Sequence, residues 1–349
     1  MALARTFKLN TGVLIPAIGL GVPPVSRAKD RRIPPSSVQY TVQKFLKLGY
    51  RHVDTAQFNT NDVPLGQGIR ASKVKREDIF LTQKLWNNQH QPELVKKSCE
   101  GSLERSRVKY FDLYLMHWPI ALKDTRKKAS EAIENPDKKS SEAKENPDKK
   151  ASEAKENPGK KSSEAKENPD KKPPKYRNPV EIDDSIDFVE TYLAMEPLVE
   201  SGKVKAIGVA NFGIKRLEKL LEKAKIPPAV NQVEMHPYLP QNDLLEFCKS
   251  KNIHVTAYLP FGVASSPLRT DEVIRKIADK NGKTKQQILA SWAVQRGTSV
   301  ITEGTSVKIV EKVFQDFVLP DDDFQEINEL SKTKQERYIT REDWNFEWD

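Results

Sequence analysis

Residues 17–24 read AIGLGVPP, a short apolar run that ends in a glycine turn and two prolines. Its length and its bounding residues are those of a buried strand. The residues just after the run separate two architectures. A doubly wound dinucleotide fold carries G-x-G-x-x-G after its first strand, so that the backbone can approach a pyrophosphate at the start of the next helix. Here Gly19 and Gly21 fill the first two positions, and GLGVPP lacks the third glycine. Outward from this point the same kind of run recurs: RHVDTA at 51–56, IFLTQKLW at 79–86, FDLYLMHWP at 111–119, VKAIGVANF at 204–212, AVNQVEMHP at 229–237, HVTAYLP at 254–260 and SVITEG at 299–304. Between the runs lie helical patterns. SSVQYTVQKFLKLG opens with serine caps, shows helical apolar spacing and stops at Gly49. PELVKKSCEGSLERSR, SIDFVETYLAMEPLVESG, IKRLEKLLEKAK, QNDLLEFCKSKN and TKQQILASWAVQRG behave alike, and SVKIVEKVF at 306–314 closes the series. Strands alternating with helices in this way predict an α/β fold, and without the third glycine a closed (β/α)₈ TIM barrel is favoured over the open sheet. Ahead of it, RTFKLNTGVLIPAIG reads as a β-hairpin turning at Asn10–Gly12, placed to plug the bottom of the barrel.

The most visible irregularity is a tandem repeat at 127–170. KKASEAIENPD, KKSSEAKENPD, KKASEAKENPG and KKSSEAKENPD are four copies of an 11-residue unit, inserted after HWP in an otherwise single domain spanning 1–349. Each unit is nearly charge-balanced and nearly devoid of apolar side chains. It cannot bury enough area to offset its ordering entropy, so a mobile tether is expected. The tract has two readings, an expanded insertion without a task or a docking or lid element beside the mouth of the barrel. It also explains why the hydrophobic fraction is only 37%.

Composition excludes several functions. The net charge is +9, but no run of five basic residues and no stacking motif interleaves the lysines, so nucleic acid is not an expected partner. Cys99 and Cys248 are far apart, lack metal-ligand spacing and read as buried thiols of a reducing compartment. His52, His90, His236 and His254 show no metal-like spacing either, so no metal is expected. No apolar stretch is long enough to span a membrane and the N-terminus has no signal core, which makes the cytoplasm the simplest placement.

In a barrel of this type chemistry belongs to the C-terminal ends of the strands. The polar residues at those ends are Asp54, Lys84, His117, Asn211, Gln232, Glu234 and Tyr258. Each taken alone reads as readily as a structural ion pair or a hydrogen-bonded core side chain. An aspartate, a lysine and a histidine on successive strand ends together point to one catalytic pocket, because a buried Lys–Asp pair is costly unless it is needed.

These stretches, GYRHVDTA, KLW, DLYLMHWP, VKAIGVANF, AVNQVEMHPY and VTAYLP, resemble the aldo-keto reductase superfamily over nearly the whole chain except the repeats. The resemblance implies reduction of a small aldehyde or ketone by NADP or NAD, and a monomer. It places Asp54, Lys84 and His117 at three of four catalytic positions. The fourth, a tyrosine five residues after the aspartate, is Asn59 here. That tyrosine protonates the developing alkoxide as general acid; an asparagine amide cannot give up a proton at accessible pH. His117 is a candidate to orient the carbonyl and to supply the proton instead, since imidazole titrates near neutrality. For the cofactor, Asn211, Gln232 and Tyr258 match nicotinamide contacts, with Ala210 in place of a serine. Glu303 stands where a phosphate-binding lysine is usual, Ile309 where an arginine is, and Val22–Pro23 where Thr-Trp is. Reduced NADPH affinity is expected as a result, with a preference for NADH or complete loss of cofactor binding as the further outcomes left open. Trp86 and Trp118 match substrate-pocket residues, and Trp344 and Trp348 in RYITREDWNFEWD are candidate lid aromatics. The alternative is a non-catalytic barrel that kept the fold and acts as a ligand-binding or interaction protein.

Overall fold

Eight of the apolar runs form parallel strands that close on themselves. The computed structural model describes residues 6–25, 33–123, 181–303, 312–313, 317–344 and 346–348. After the hairpin strands β1 (Thr6–Lys8) and β2 (Leu14–Pro16) come β3 (Ile18–Gly21), β4 (His52–Asp54), β5 (Phe80–Leu85), β6 (Leu113–Met116), β7 (Ile207–Ala210), β8 (Val230–Glu234), β9 (His254–Tyr258) and β10 (Ser299–Glu303). The last eight are paired in sequence order, and β10 returns to β3 through Val300↔Ile18 and Glu303↔Gly21, so the sheet has no edge. The expected (β/α)₈ barrel is the observed fold.

The hairpin pairs antiparallel, Thr6↔Pro16 to Lys8↔Leu14, and Gly12 supplies the positive φ of +84° that its turn requires. Its Leu9 and Ile15 pack with Phe80, Leu113, Ala229 and Val230, which lie at the starts of their strands. The hairpin therefore closes the N-terminal end of the barrel with apolar side chains and leaves the opposite end for polar ones.

Helices surround the strands, including α1 (Pro35–Lys47), α2 (Asp62–Ser72) and α3 (Pro92–Ser106). The helix over Asp62–Ser72 is absent from the sequence expectation because Pro64, Gly66 and Gly68 interrupt its apolar pattern. Those glycines serve packing. A Cβ on Gly66 would stand 1.8 Å from the Ser106 carbonyl oxygen, and one on Gly68 would stand 2.7 Å from the Gln39 carbonyl oxygen. The helix lies between its two neighbours at backbone contact distance, which a side chain would prevent.

Cys99 and Cys248 are free, and burial pushes both thiols up to about 12. They are inert packing residues. No described helix is long and apolar enough to cross a membrane. The chain divides into a barrel unit, Met1–Leu122 with Ile182–Asp349, and a second unit, Lys123–Glu181. Leu122 and Ile182 form an antiparallel bridge at the barrel unit's side of that division. The repeats at 127–170 and most of the expected helix at 306–314 lie outside the described residues.

Candidate active site

The strand ends place the predicted polar residues in two linked groups at the C-terminal end of the barrel. Asp54 ends β4 and Lys84 is the penultimate residue of β5. The Lys84 ammonium donates to Asp54 Oδ1 and, at 2.9 Å, to the Thr55 carbonyl. Gln232, from β8, donates its amide to the other Asp54 oxygen at 2.8 Å. Asp54 and Lys84 are each 5% exposed, so the ion pair is buried, and such a pair persists only when further hydrogen bonds complete it. Gln232 and the Thr55 carbonyl supply them.

In the second group the Tyr258 hydroxyl donates to Asn211 Oδ1 at 2.7 Å, and Asn211 Nδ2 donates to the His117 carbonyl at 2.9 Å. Asn211 has a φ of +64° and Leu259, just past β9, one of +50°, so the backbone at this end adopts left-handed conformations uncommon for such residues. The His117 ring lies edge-on to Trp86 with centroids 5.2 Å apart. Burial holds the His117 imidazole well below its usual pKa, and the charges of Lys84 and Arg341 push the same way. The shift favours the neutral form of the ring. A neutral imidazole donates hydrogen bonds but is a poor acid.

Asn59 ends a one-turn 3-10 helix, Gln57–Asn59. Its amide donates to the Val22 carbonyl at 3.2 Å, and its own carbonyl accepts from the Val25 N–H at 3.0 Å. Asn61 makes a matching bond to the Pro23 carbonyl at 3.0 Å. Two departures noted in the sequence, Asn59 and Val22–Pro23, thus touch each other. The same turn is tied down by Gln57, which donates to Ser98 Oγ at 2.8 Å and to the Tyr114 hydroxyl at 3.2 Å while accepting from the Trp86 N–H at 3.0 Å.

The sequence missed how the tail is anchored. Glu234, fully buried at the end of β8, accepts from the backbone N–H groups of Tyr338 and Ile339 at 2.7 and 2.8 Å and from His236 Nε2 at 3.0 Å. From this anchor the tail crosses to the aromatic wall. Trp344, only 2% exposed, meets Trp86 and Trp118 edge-on at 6.0 and 5.5 Å, and Trp118 also meets Trp348 at 5.6 Å. Phe58 lies on Trp86 at 4.4 Å. The only advance signal was the interleaving of arginines and aromatics in RYITREDWNFEWD.

Glu303 pairs with Gly21 at the end of β10; its side chain and Ile309 lie outside the described residues. Asn211 and Gln232 are carboxamides, each both donor and acceptor, beside the ring of Tyr258, a set whose chemistry fits a flat ring that carries an amide. A cavity of about 370 Å³ lies elsewhere, beside the exit from β6, lined by Pro119, Ile120, Asp183, Asp187, Phe188 and Lys219. None of the strand-end polar residues lines it, so it is not taken as the reaction site.

A model of the Aldo/keto reductase family matches residues 17–332. An aldehyde reductase of Saccharomyces cerevisiae is 35% identical over 98% of this chain and 95% of its own length. A glycerol 2-dehydrogenase (NADP(+)) of the same yeast is 36% identical over 98% and 95%. Among solved structures, an aldose reductase from Schistosoma japonicum superposes with a TM-score of 0.76 at 31% identity, covering 98% of this chain and 96% of that one. A Bombyx mori aldo-keto reductase in complex with NADP also gives 0.76, at 27% identity and 99% and 98% coverage.

Proposed function

The chain belongs to the aldo/keto reductase family, and from that premise we propose that it binds a nicotinamide dinucleotide and reduces a small aldehyde or ketone, at a rate lowered by Asn59. The observation that carries this is the buried Lys84–Asp54 pair completed by Gln232. A hydrophobic pair of the same volume would stabilise a barrel at least as well, so an ammonium kept there has a chemical use. Relatives whose names specify NADP favour NADP over NAD.

A nicotinamide dinucleotide, when bound, would supply the hydride for the carbonyl carbon, and Asn211, Gln232 and Tyr258 would hold its nicotinamide end. His117, neutral, donates a hydrogen bond that orients the carbonyl oxygen. Lys84 provides the positive field in which negative charge develops on that oxygen, and Asp54 holds the ammonium in place. No side chain at position 59 delivers the proton, so the alkoxide takes it from water. Loss of a positioned general acid lowers the rate by about 10²–10⁴-fold. All these groups come from one chain, so a monomer suffices.

The second reading, a non-catalytic barrel that binds ligand, is favoured by the engagement of the Asn59 amide with the Val22 carbonyl. Titration with NADPH and NADH, followed by intrinsic fluorescence, and an assay with a reactive aldehyde separate the two. Binding with slow turnover is expected. Failure to bind either dinucleotide ends the oxidoreductase proposal, and tight binding without turnover supports the second reading.

A further inference from the structure

The end of the barrel opposite the strand-end polar residues carries a concentration of positive charge. Strands β4 to β10 run parallel, so the connections that lead into them all lie at the end closed by the hairpin. Each of these connections carries a lysine or an arginine, from Arg51 before β4 to Arg296 before β10. Lys73, Lys75 and Arg76 precede β5, and Arg107 and Lys109 precede β6. Lys203 and Lys205 precede β7, and Lys223 and Lys225 precede β8. The acids on the same connections are fewer: Glu77, Asp78, Asp112 and Glu222. One cation past a helix end answers the helix dipole. Two or three on one connection exceed that need. Neighbouring connections also pool their charge. Arg76 and Lys205 lie over the ring of Tyr110, 4.1 and 4.4 Å from its centroid, and both pair with the buried Asp112 carboxylate, at 2.8 and 2.9 Å. One anion shared by two cations leaves the group positive. The hairpin belongs to this same end, tied there by Asn10, whose amide donates to the Pro228 carbonyl ahead of β8 at 3.0 Å. Lys8 and Leu14 are register partners on its outer face, and Leu14 is 56% exposed while Ile15 beside it is buried toward the barrel.

We propose that this end of the barrel binds the surface of an anionic lipid bilayer. Exposed lysines around an exposed leucine form the arrangement in which cations meet charged headgroups while an apolar side chain enters the acyl boundary. The attraction is one of many weak pairings, so no single cation needs a formed pocket, and it is screened by salt. Single-stranded nucleic acid suits the face less well. It needs aromatic rings on which bases stack, and the Tyr110 ring is already covered by two cations. Docked in this way, the barrel turns the ends of β4, β5 and β8, with Asp54, Lys84 and Gln232, away from the bilayer. Binding therefore leaves the candidate active site open to solvent.

The test is flotation of the full chain with vesicles of phosphatidylcholine alone and of phosphatidylcholine mixed with phosphatidylserine. Three proteins are compared: wild type, a triple reversal at this end (Lys75→Glu, Lys109→Glu, Lys225→Glu), and a triple reversal of exposed helix cations elsewhere (Lys96→Glu, Lys215→Glu, Lys276→Glu). The two variants have the same net charge, and their urea midpoints are measured to show that both fold. The wild type is expected to float with the phosphatidylserine vesicles, to stay behind with phosphatidylcholine alone, and to be released by raised salt. Reversal at this end should lower the partition coefficient by on the order of 10²-fold or more, the effect of removing three cations from the surface. Reversal elsewhere should retain most of the binding. No flotation of the wild type, equal flotation with both lipids, or equal losses in the two variants overturn the proposal. Duplex DNA, titrated in parallel by fluorescence anisotropy, is expected to bind more weakly than the anionic vesicles. Binding of the DNA without flotation would reassign the face to nucleic acid.

Discussion

At the scale of single residues, position 59 is where the proposed reduction is expected to be limited. The Asn59 amide is a hydrogen-bond donor already engaged with the Val22 carbonyl, so it contributes a loop contact and no proton. Asn59→Tyr is therefore expected to raise kcat by roughly 10²-fold or more with little change in KM, the pattern of an interaction made only in the transition state. Asn59→Ala should leave kcat within a small factor of wild type; a tenfold fall would mean that the amide takes part in the reaction after all. The substitution itself was legible in the sequence because the position lies at a fixed offset from Asp54. Its tie to Val22 was not, because that contact joins two loops that only barrel closure brings together. The lowered pKa of His117 was hidden for the same reason. Composition gives an imidazole its ordinary pKa, and only burial beside Lys84 and Arg341 lowers it.

At the scale of elements, strands were easier to read than helices. Buried parallel strands are continuous apolar runs, and all eight appear where VDT, TQKL, LYLM and their counterparts stand. The helix over Asp62–Ser72 went unread because its sequence is governed by neighbours rather than by helix propensity. Gly66 is needed where the Ser106 carbonyl approaches, and Arg70 donates to that same carbonyl at 3.0 Å. Gly66→Ala forces a methyl group against backbone that cannot swing aside. It should lower stability by about 1–3 kcal/mol or more, seen as a lower urea midpoint at unchanged slope. A midpoint within error of wild type would show that the two helices can separate at little cost. The C-terminal tail is the other segment that local pattern could not place. Its position depends on Glu234, which sits more than a hundred residues earlier and receives two of the tail's backbone N–H groups.

At the scale of the whole molecule, a barrel plugged by an apolar hairpin encloses histidines that cannot keep a proton. Burial lowers His52 to about 4, with Asp54 opposing and Lys84 assisting, and burial alone lowers His90 to about 3. His254, whose ring packs at 4.9 Å from Phe7 of the hairpin, is lowered to about 3. In the unfolded chain all three take up protons near pH 6.5, as free imidazoles do, with a reference pKa of about 6.5. Between that pH and about 4 the unfolded state thus binds more protons than the folded one, and stability falls as pH falls. Each histidine contributes a slope of up to about 1.4 kcal/mol per pH unit through this window. Asp62, raised by burial, acts in the opposite sense, while Asp271 and Asp323, held below the usual carboxylate range despite burial by bonds to Tyr238, Lys334, Lys280 and Asn281, weaken the fold only at still lower pH. Urea midpoints should therefore be steady above pH 7 and drop steeply between pH 6.5 and 5. His90 is the histidine to remove, since no charged neighbour contributes to its shift. His90→Leu should flatten the drop by about one proton's worth while leaving the midpoint at pH 7.5 unchanged or higher. A midpoint that holds constant from pH 7.5 to 5 in the wild type, or a His90→Leu curve parallel to it, would mean that the enclosed rings reach protons without unfolding.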